Sequence, residues 1–260
     1  MRQNRYVFYF LLLVSILALW FLYPLKDNPH YHEFAEQRII CGVPHVGDVL
    51  SNLAFIIVGI VLFYRAKRLD FKLYEFQDFM YYFFALSCVL LGFGSAYYHW
   101  NPNNANLAWD RGTMVVGFSV IFMDSLWRYR ILNDEQPATR FAICFFAFVG
   151  SVAFWRKTGI LEPYVMVQFF TMFVLTFIAL SRYKVVQGRA LFGLFIFYAI
   201  AKFFEHYDIQ TWLVFHGVIS GHTIKHLMYA AALLYYGWYM RSGNREAESL
   251  PLAEQKATSV

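Results

Sequence analysis

The sequence predicts an all-α fold: a polytopic bundle of membrane helices. Composition is the first reason. Of 260 residues, 59% are hydrophobic and only 15% are charged, where a soluble domain carries about 25%. Pattern is the second. The apolar residues fall in blocks near the ~18-residue length that reads as a membrane helix, not in period-2 or period-3.6 stripes. The third is the placement of Lys and Arg, which gather in short loops between the blocks. Aromatics reach 21%, with 29 Phe and 19 Tyr, more apolar surface than a soluble fold of this length needs to bury.

Eight apolar segments follow one another, at about 6–24, 48–64, 78–98, 110–127, 141–155, 163–181, 190–206 and 217–240. The first follows Arg2 and Arg5 and is continued by "LWFLYPLKDNP", with no small-residue cleavage site, so it reads as an uncleaved helix and not as a signal peptide. The second opens on "GDVLSNLAF", where Asp48 in the first turn suits the helix dipole and Asn52 needs a buried partner. The third closes on "GSAYYHW" and the fourth opens on "AWDRG". The fifth is short and is expected to end at "WRKTG"; the seventh ends on "FFEHYD"; the eighth opens on "SGHTIKH" and continues as "LMYAAALLYYGWYM". The polar stretch from Ser242 is expected to be disordered.

Loop charges orient the bundle. With eight spans, fifteen Lys and Arg fall on one side, in the two termini and the loops around Arg65, Arg128 and Arg182, against four on the other: Lys26, Arg38, Arg156 and Lys157. The positive-inside rule then puts both termini in the cytoplasm. The net charge of +5 is thereby a topology signal. It forms no basic stripe interleaved with aromatics, so nucleic acid is not expected as a partner. Cys41, Cys88 and Cys144 form no CxxC, which points to neither a disulfide framework nor a cysteine metal site.

Against that topology, polar residues from three distant helices reach one membrane level on the outer side. Ser95 and His99 are four apart and share a face near the end of the third span. Asp110 opens the fourth, and His222 and His226, again four apart, open the eighth. Ionisable groups at membrane depth are costly and mark function by default. An HxxxH pair at a span end equally suits an interfacial polar cluster. With His99, Ser95 and Asp110 at the same depth, the pattern favours a metal site: three histidines and a water make a tetrahedral zinc centre of the catalytic kind. Lys225 is expected on another face, snorkelling to the interface. Glu205, His206 and Asp208 read as a helix-end polar cluster, with lining of the cavity or an outer shell around the metal as the alternative, and Arg111 as a partner for one of these acids. Asp124, deep in the fourth span, has no partner legible in sequence. The outer loop with His30, His32, Glu33, Glu36, His45 and Asp48 is open to three readings: a cation site, a lid, or a solvated loop.

"SAYYHWNPNNANLAWDR" followed far downstream by "SGHTIKH" resembles the alkaline ceramidases, in particular their bacterial alkaline phytoceramidase-like relatives in the CREST superfamily. That family has a Ser, a His four residues later, an Asp eleven after that, and HxxxH in the last span. Ser95, His99, Asp110, His222 and His226 match at every spacing, over roughly residues 30–240. The resemblance implies an additional N-terminal membrane helix in 1–25, a seven-helix domain in 26–241 and a cytoplasmic tail in 242–260. It implies a zinc ion held by His99, His222 and His226, with Ser95 and Asp110 catalytic. It also implies hydrolysis of the amide bond of a ceramide-like or other N-acyl lipid taken from the membrane, near the periplasmic side of a bacterial inner membrane. The family's acid-rich calcium site would fall at "HYHEFAEQRIICGVPHVGD", which does not reproduce its acid spacing, so no calcium ligands are carried over. A lipid ester hydrolase, or a zinc-containing receptor on the same scaffold, are the competing readings.

Overall fold

A computed structural model describes residues 9–10, 12–17, 25, 30–73, 75–128, 136–181 and 186–240, with side chains omitted for 186–188. Residues 9–10 and 12–17 are helical; the rest of the expected first span and the polar tail beyond 240 lie outside the described residues. Nine helices follow among the described residues: α1 Val46–Ser51, α2 Leu53–Arg68, α3 Phe76–Trp100, α4 Asn104–Arg128, α5 Pro137–Thr158, α6 Glu162–Ser181, α7 Val186–His206, α8 Asp208–Val214 and α9 Gly221–Tyr239. The protein is all-helical over this range, apart from an isolated bridge between Ile40 and Val43.

Four helical stretches are long and apolar enough to cross a membrane: Val46–Arg68, Phe76–Trp100, Pro137–Thr158 and Glu162–Ser181. Arg189–His206 and Asp208–Val214 pass the same measure together but meet at 79°, which makes up to five. The two helices that carry Asp110 and the HxxxH pair, α4 and α9, fall short of it. Their neighbours explain why: α9 packs against α7, α2, α1, α8 and α3, and α4 against α3, α5 and α6. A helix enclosed by protein need not be apolar all round. The outward faces elsewhere present Ile57, Phe93, Ile143, Phe146 and Leu180, an apolar belt of the kind that marks a membrane-facing surface.

The helices run past several expected limits, α4 beginning at Asn104 where the segment was expected from about 110; two other ends have a clear local cause. The fifth apolar segment runs through "WRKT", because Arg156 and Lys157 complement the helix dipole from its last turn. It stops at Gly159, whose φ of +75° is left-handed, where glycine carries no Cβ penalty. The last segment begins at Gly221, with residues 215–220 as turn and cap. Gly221 is required there by close approach: a Cβ would stand 2.1 Å from the Phe204 carbonyl oxygen and 2.8 Å from Asp208 Cα. That contact seats the start of α9 against the α7–α8 bend.

Candidate metal centre

His99, His222 and His226 converge. All three are buried, and one ring nitrogen from each lies within 4.8 Å of the others. His99 comes from the last turn of α3, and the other two stand one turn apart at the start of α9. Nε2 of His99 and Nε2 of His222 are 3.2 Å apart. Two nitrogens on a tetrahedral ion at 2.0–2.1 Å would be separated by roughly 3.3–3.4 Å, so this spacing suits such an ion. The neutral donor set suits a buried position, where a carboxylate would cost more.

Hydrogen bonding sets the tautomer of His226. Ser51 Oγ donates to the Asp48 carbonyl at 3.0 Å. Its single hydrogen is thereby used, so it accepts from His226 Nδ1–H at 2.8 Å. The Nε2 lone pair of His226 is left for the shared centre, and a partner of this type typically raises ligand basicity as well. His99 Nδ1 has no hydrogen-bond partner among the described residues.

Three polar anchors, Ser220, Asp48 and Asp208, hold α9 in register. Ser220 caps the helix by accepting from Thr223 N–H at 2.9 Å. The buried Asp48 carboxylate accepts from Ser220 Oγ at 2.9 Å and from Thr223 Oγ1 at 2.7 Å, tying α1 to the first turn of α9. Asp208 accepts from the backbone N–H of His222 at 2.7 Å through Oδ1, and from that of Ala35 at 2.9 Å through Oδ2. Asn52 finds its partner in the Asp48 carbonyl, to which its Nδ2 donates at 2.7 Å.

The segment from His30 to His45 lies over the histidines as a strap. Phe34, pinned by the Ala35–Asp208 bond, places its ring centroid 4.7 Å from that of His99 and 4.5 Å from that of His222. His32 Nε2–H donates to Asn104 Oδ1 at 2.9 Å, so its Nδ1 accepts from Tyr98 OH, also at 2.9 Å. Glu36 is buried and pairs with Arg38, which also donates to the Val218 carbonyl at 2.9 Å. Burial alone would raise the Glu36 pKa, but the Arg38 hydrogen bonds and charge outweigh it and hold the carboxyl below its ordinary value. Of the three readings of this loop, the lid describes its packing. The histidine triad is the group of metal-ligating side chains that forms among the described residues.

Ser95 and Asp110 also come together, the Ser95 side chain lying close to the Asp110 carboxylate. Ser95 is buried one turn before His99, and Asp110 lies within electrostatic reach of Lys225 and Arg111.

Lys225 departs from the sequence reading. It does not snorkel to the interface. Its Nζ lies 2.7 Å from His222 Nε2 and donates to Glu205 Oε1 at 3.3 Å. The single lone pair of Nε2 serves either the ammonium or an ion at the triad, and an ion there would leave Lys225 to Glu205. The four-carbon stem reaches back across the helix face that the 100° step per residue turns away. Glu205 also takes Lys202 Nζ, at 2.5 Å, so a Lys202–Glu205–Lys225 relay borders the triad and gives the Lys225 ammonium a second acceptor. Arg111 pairs with neither Glu205 nor Asp208. Its guanidinium lies over the rings of Trp155, Tyr164 and Tyr31, at 4.1, 4.9 and 5.2 Å.

No family model matches the chain, and no curated protein matches it either.

Proposed function

We propose that the chain is an integral membrane hydrolase that cleaves the amide bond of ceramide-like or other N-acyl lipids, releasing a fatty acid and a lipid amine. One observation carries this reading. A buried triad of imidazoles, His99, His222 and His226, sits in an apolar helical bundle, with Ser95 one turn before His99 and its side chain close to Asp110. The spacing of the same five residues resembles the alkaline ceramidases, and the seven helices of sixteen residues or more among the described residues are compatible with a seven-helix core of the CREST type.

Zinc, held by the three histidines, would acidify a water toward pKa ~7 and polarise the scissile carbonyl. The protein's own groups supply the rest. Asp110 accepts a proton from the attacking water and returns it to the leaving amine. Ser95 first orients the Asp110 carboxylate; once that carboxylate is protonated, its hydroxyl is released to the developing oxyanion, a contribution of about 3 kcal/mol for one such donor. Phe34 and the strap exclude bulk water from the chamber, which strengthens each of these interactions. The acyl chain lies among the Phe- and Tyr-rich helices. The loop charges favour both termini on the cytoplasmic side, as in a bacterial inner membrane, with the chamber near the outer face.

The test is release of fatty acid from a panel of N-acyl lipids by the purified full chain, with and without a chelator. Cleavage of at least one amide that stops with the chelator and returns with zinc is expected. Cleavage of esters alone would move the reading to an ester hydrolase. Bound metal with no turnover of either bond would leave the receptor reading.

A further inference from the structure

Arg111 is 5% exposed. A buried guanidinium is always charged and needs acceptors for its five N–H groups. Its Nε and Nη1 have none among the described residues. The three aromatic rings do not supply them, because a ring attracts the cation through its face and accepts no strong hydrogen bond from the edge of the guanidinium plane. No acid among the described residues forms a hydrogen bond or ion pair with Arg111; Asp110 acts on it through space. A buried charge with vacant donors is costly unless something pairs with it.

The cage has a way in. Trp155 and Tyr164 are buried, but Tyr31, on the strap, is 44% exposed. Tyr31 is thus the wall of the cage that meets the surface. A planar guanidinium with vacant edge donors is matched by a carboxylate or a phosphate, and in an apolar bundle the carrier of that group is a lipid.

We propose that the Arg111 cage binds an oxyanion carried on a lipid chain, as a carboxylate or a phosphate headgroup. If the hydrolase reading holds, on which only the fate of the lipid rests, the cage makes acidic N-acyl lipids the preferred substrate class, or seats the fatty-acid carboxylate before its release.

Binding is read by intrinsic fluorescence, because Trp155 stacks on the guanidinium. The full chain in neutral detergent, with chelator present so that neither turnover nor metal ligation contributes, is titrated with oleate, dioleoyl phosphatidate, oleyl alcohol and inorganic phosphate. One or both lipid anions should saturate the signal, while oleyl alcohol and inorganic phosphate at the same concentrations should not. Arg111→Gln should weaken the lipid anion about 10- to 100-fold, the range for losing charge-assisted hydrogen bonds. Equal binding of oleyl alcohol, or unchanged lipid-anion binding in Arg111→Gln, overturns the proposal; equal binding of inorganic phosphate overturns its lipid part. If Arg111→Gln does not fold, the contrast between oleate and oleyl alcohol on the wild-type chain decides. Because the chelated protein is used, absence of amidase activity leaves this result untouched, and failure here leaves the amidase test standing.

Discussion

Helices α4 and α9 each carry two polar clusters, one near either end, and the clusters are built differently. Asp110 and Asp124 stand 14 residues apart on α4, as do His222 and Tyr236 on α9, about 21 Å along each axis. At the Asp124 end, the buried carboxylate accepts from Arg128 Nε at 2.7 Å and from Tyr236 OH at 2.9 Å, with Ser125 Oγ 3.4 Å from the same phenol. Charge is balanced inside the cluster, and the pair is closed. At the histidine end, Asp48 Oδ2, His99 Nδ1 and two Arg111 nitrogens lack partners among the described residues, and His99 and His222 aim ring nitrogens at each other. A closed cluster locks helices together. A cluster with unpartnered buried polar atoms and three converging imidazoles is suited to binding.

The comparison breaks first at its two extremes. His222→Ala should abolish metal retention and reduce amide cleavage to background, while Asp124→Ala should retain metal yet lose about 3–5 kcal/mol of stability, the usual cost of stranding one partner of a buried ion pair. Metal content and thermal unfolding of both variants check this. If Asp124→Ala lost metal and His222→Ala kept it, the division of roles would be reversed.

Within the histidine end, Ser95→Ala should lower turnover about 10²- to 10³-fold with metal retained, as removal of one oxyanion donor does. A variant with wild-type turnover would reduce Ser95 to packing. Ser51→Ala frees His226 Nδ1 and should weaken metal affinity about 10- to 100-fold, read by chelator competition. Unchanged affinity would mean that the Ser51 bond does not set the His226 tautomer.

The smallest effect lies in the strap. The Glu36 pKa is depressed on folding, so the Glu36–Arg38 pair stabilises fully above the ordinary glutamate value of 4.5 and loses that contribution as pH falls through the lower folded value. Chelator access to the triad should therefore rise below about that pH, and Arg38→Met should flatten the dependence. A wild-type rate that stays flat on acidification would separate the strap from the site.

Sequence carried the five central residues because their spacing is local and their level follows from loop charges. Ser95 and His99, or His222 and His226, need only the helical repeat to share a face, and counting Lys and Arg brings the ends of α3, α4 and α9 together. The supporting contacts between helices were not legible, since they join residues far apart in the chain. Ser51 meets His226 across 175 positions, and Tyr236 meets Asp124 across 112. Phe34 sits in a loop with no periodicity to place it. Lys225 was misplaced because helical geometry positions its Cβ, whereas its ammonium is free to reach around. Arg111 lies over aromatic faces, neighbours that a search for acids does not find.

Metal content of the purified full chain, measured by mass spectrometry beside His222→Ala, tests the central claim most directly. The wild-type chain should hold about one transition-metal ion per polypeptide, and the variant none. A wild-type chain that binds no metal, even after incubation with zinc, would contradict the account and return the three histidines to a buried polar cluster.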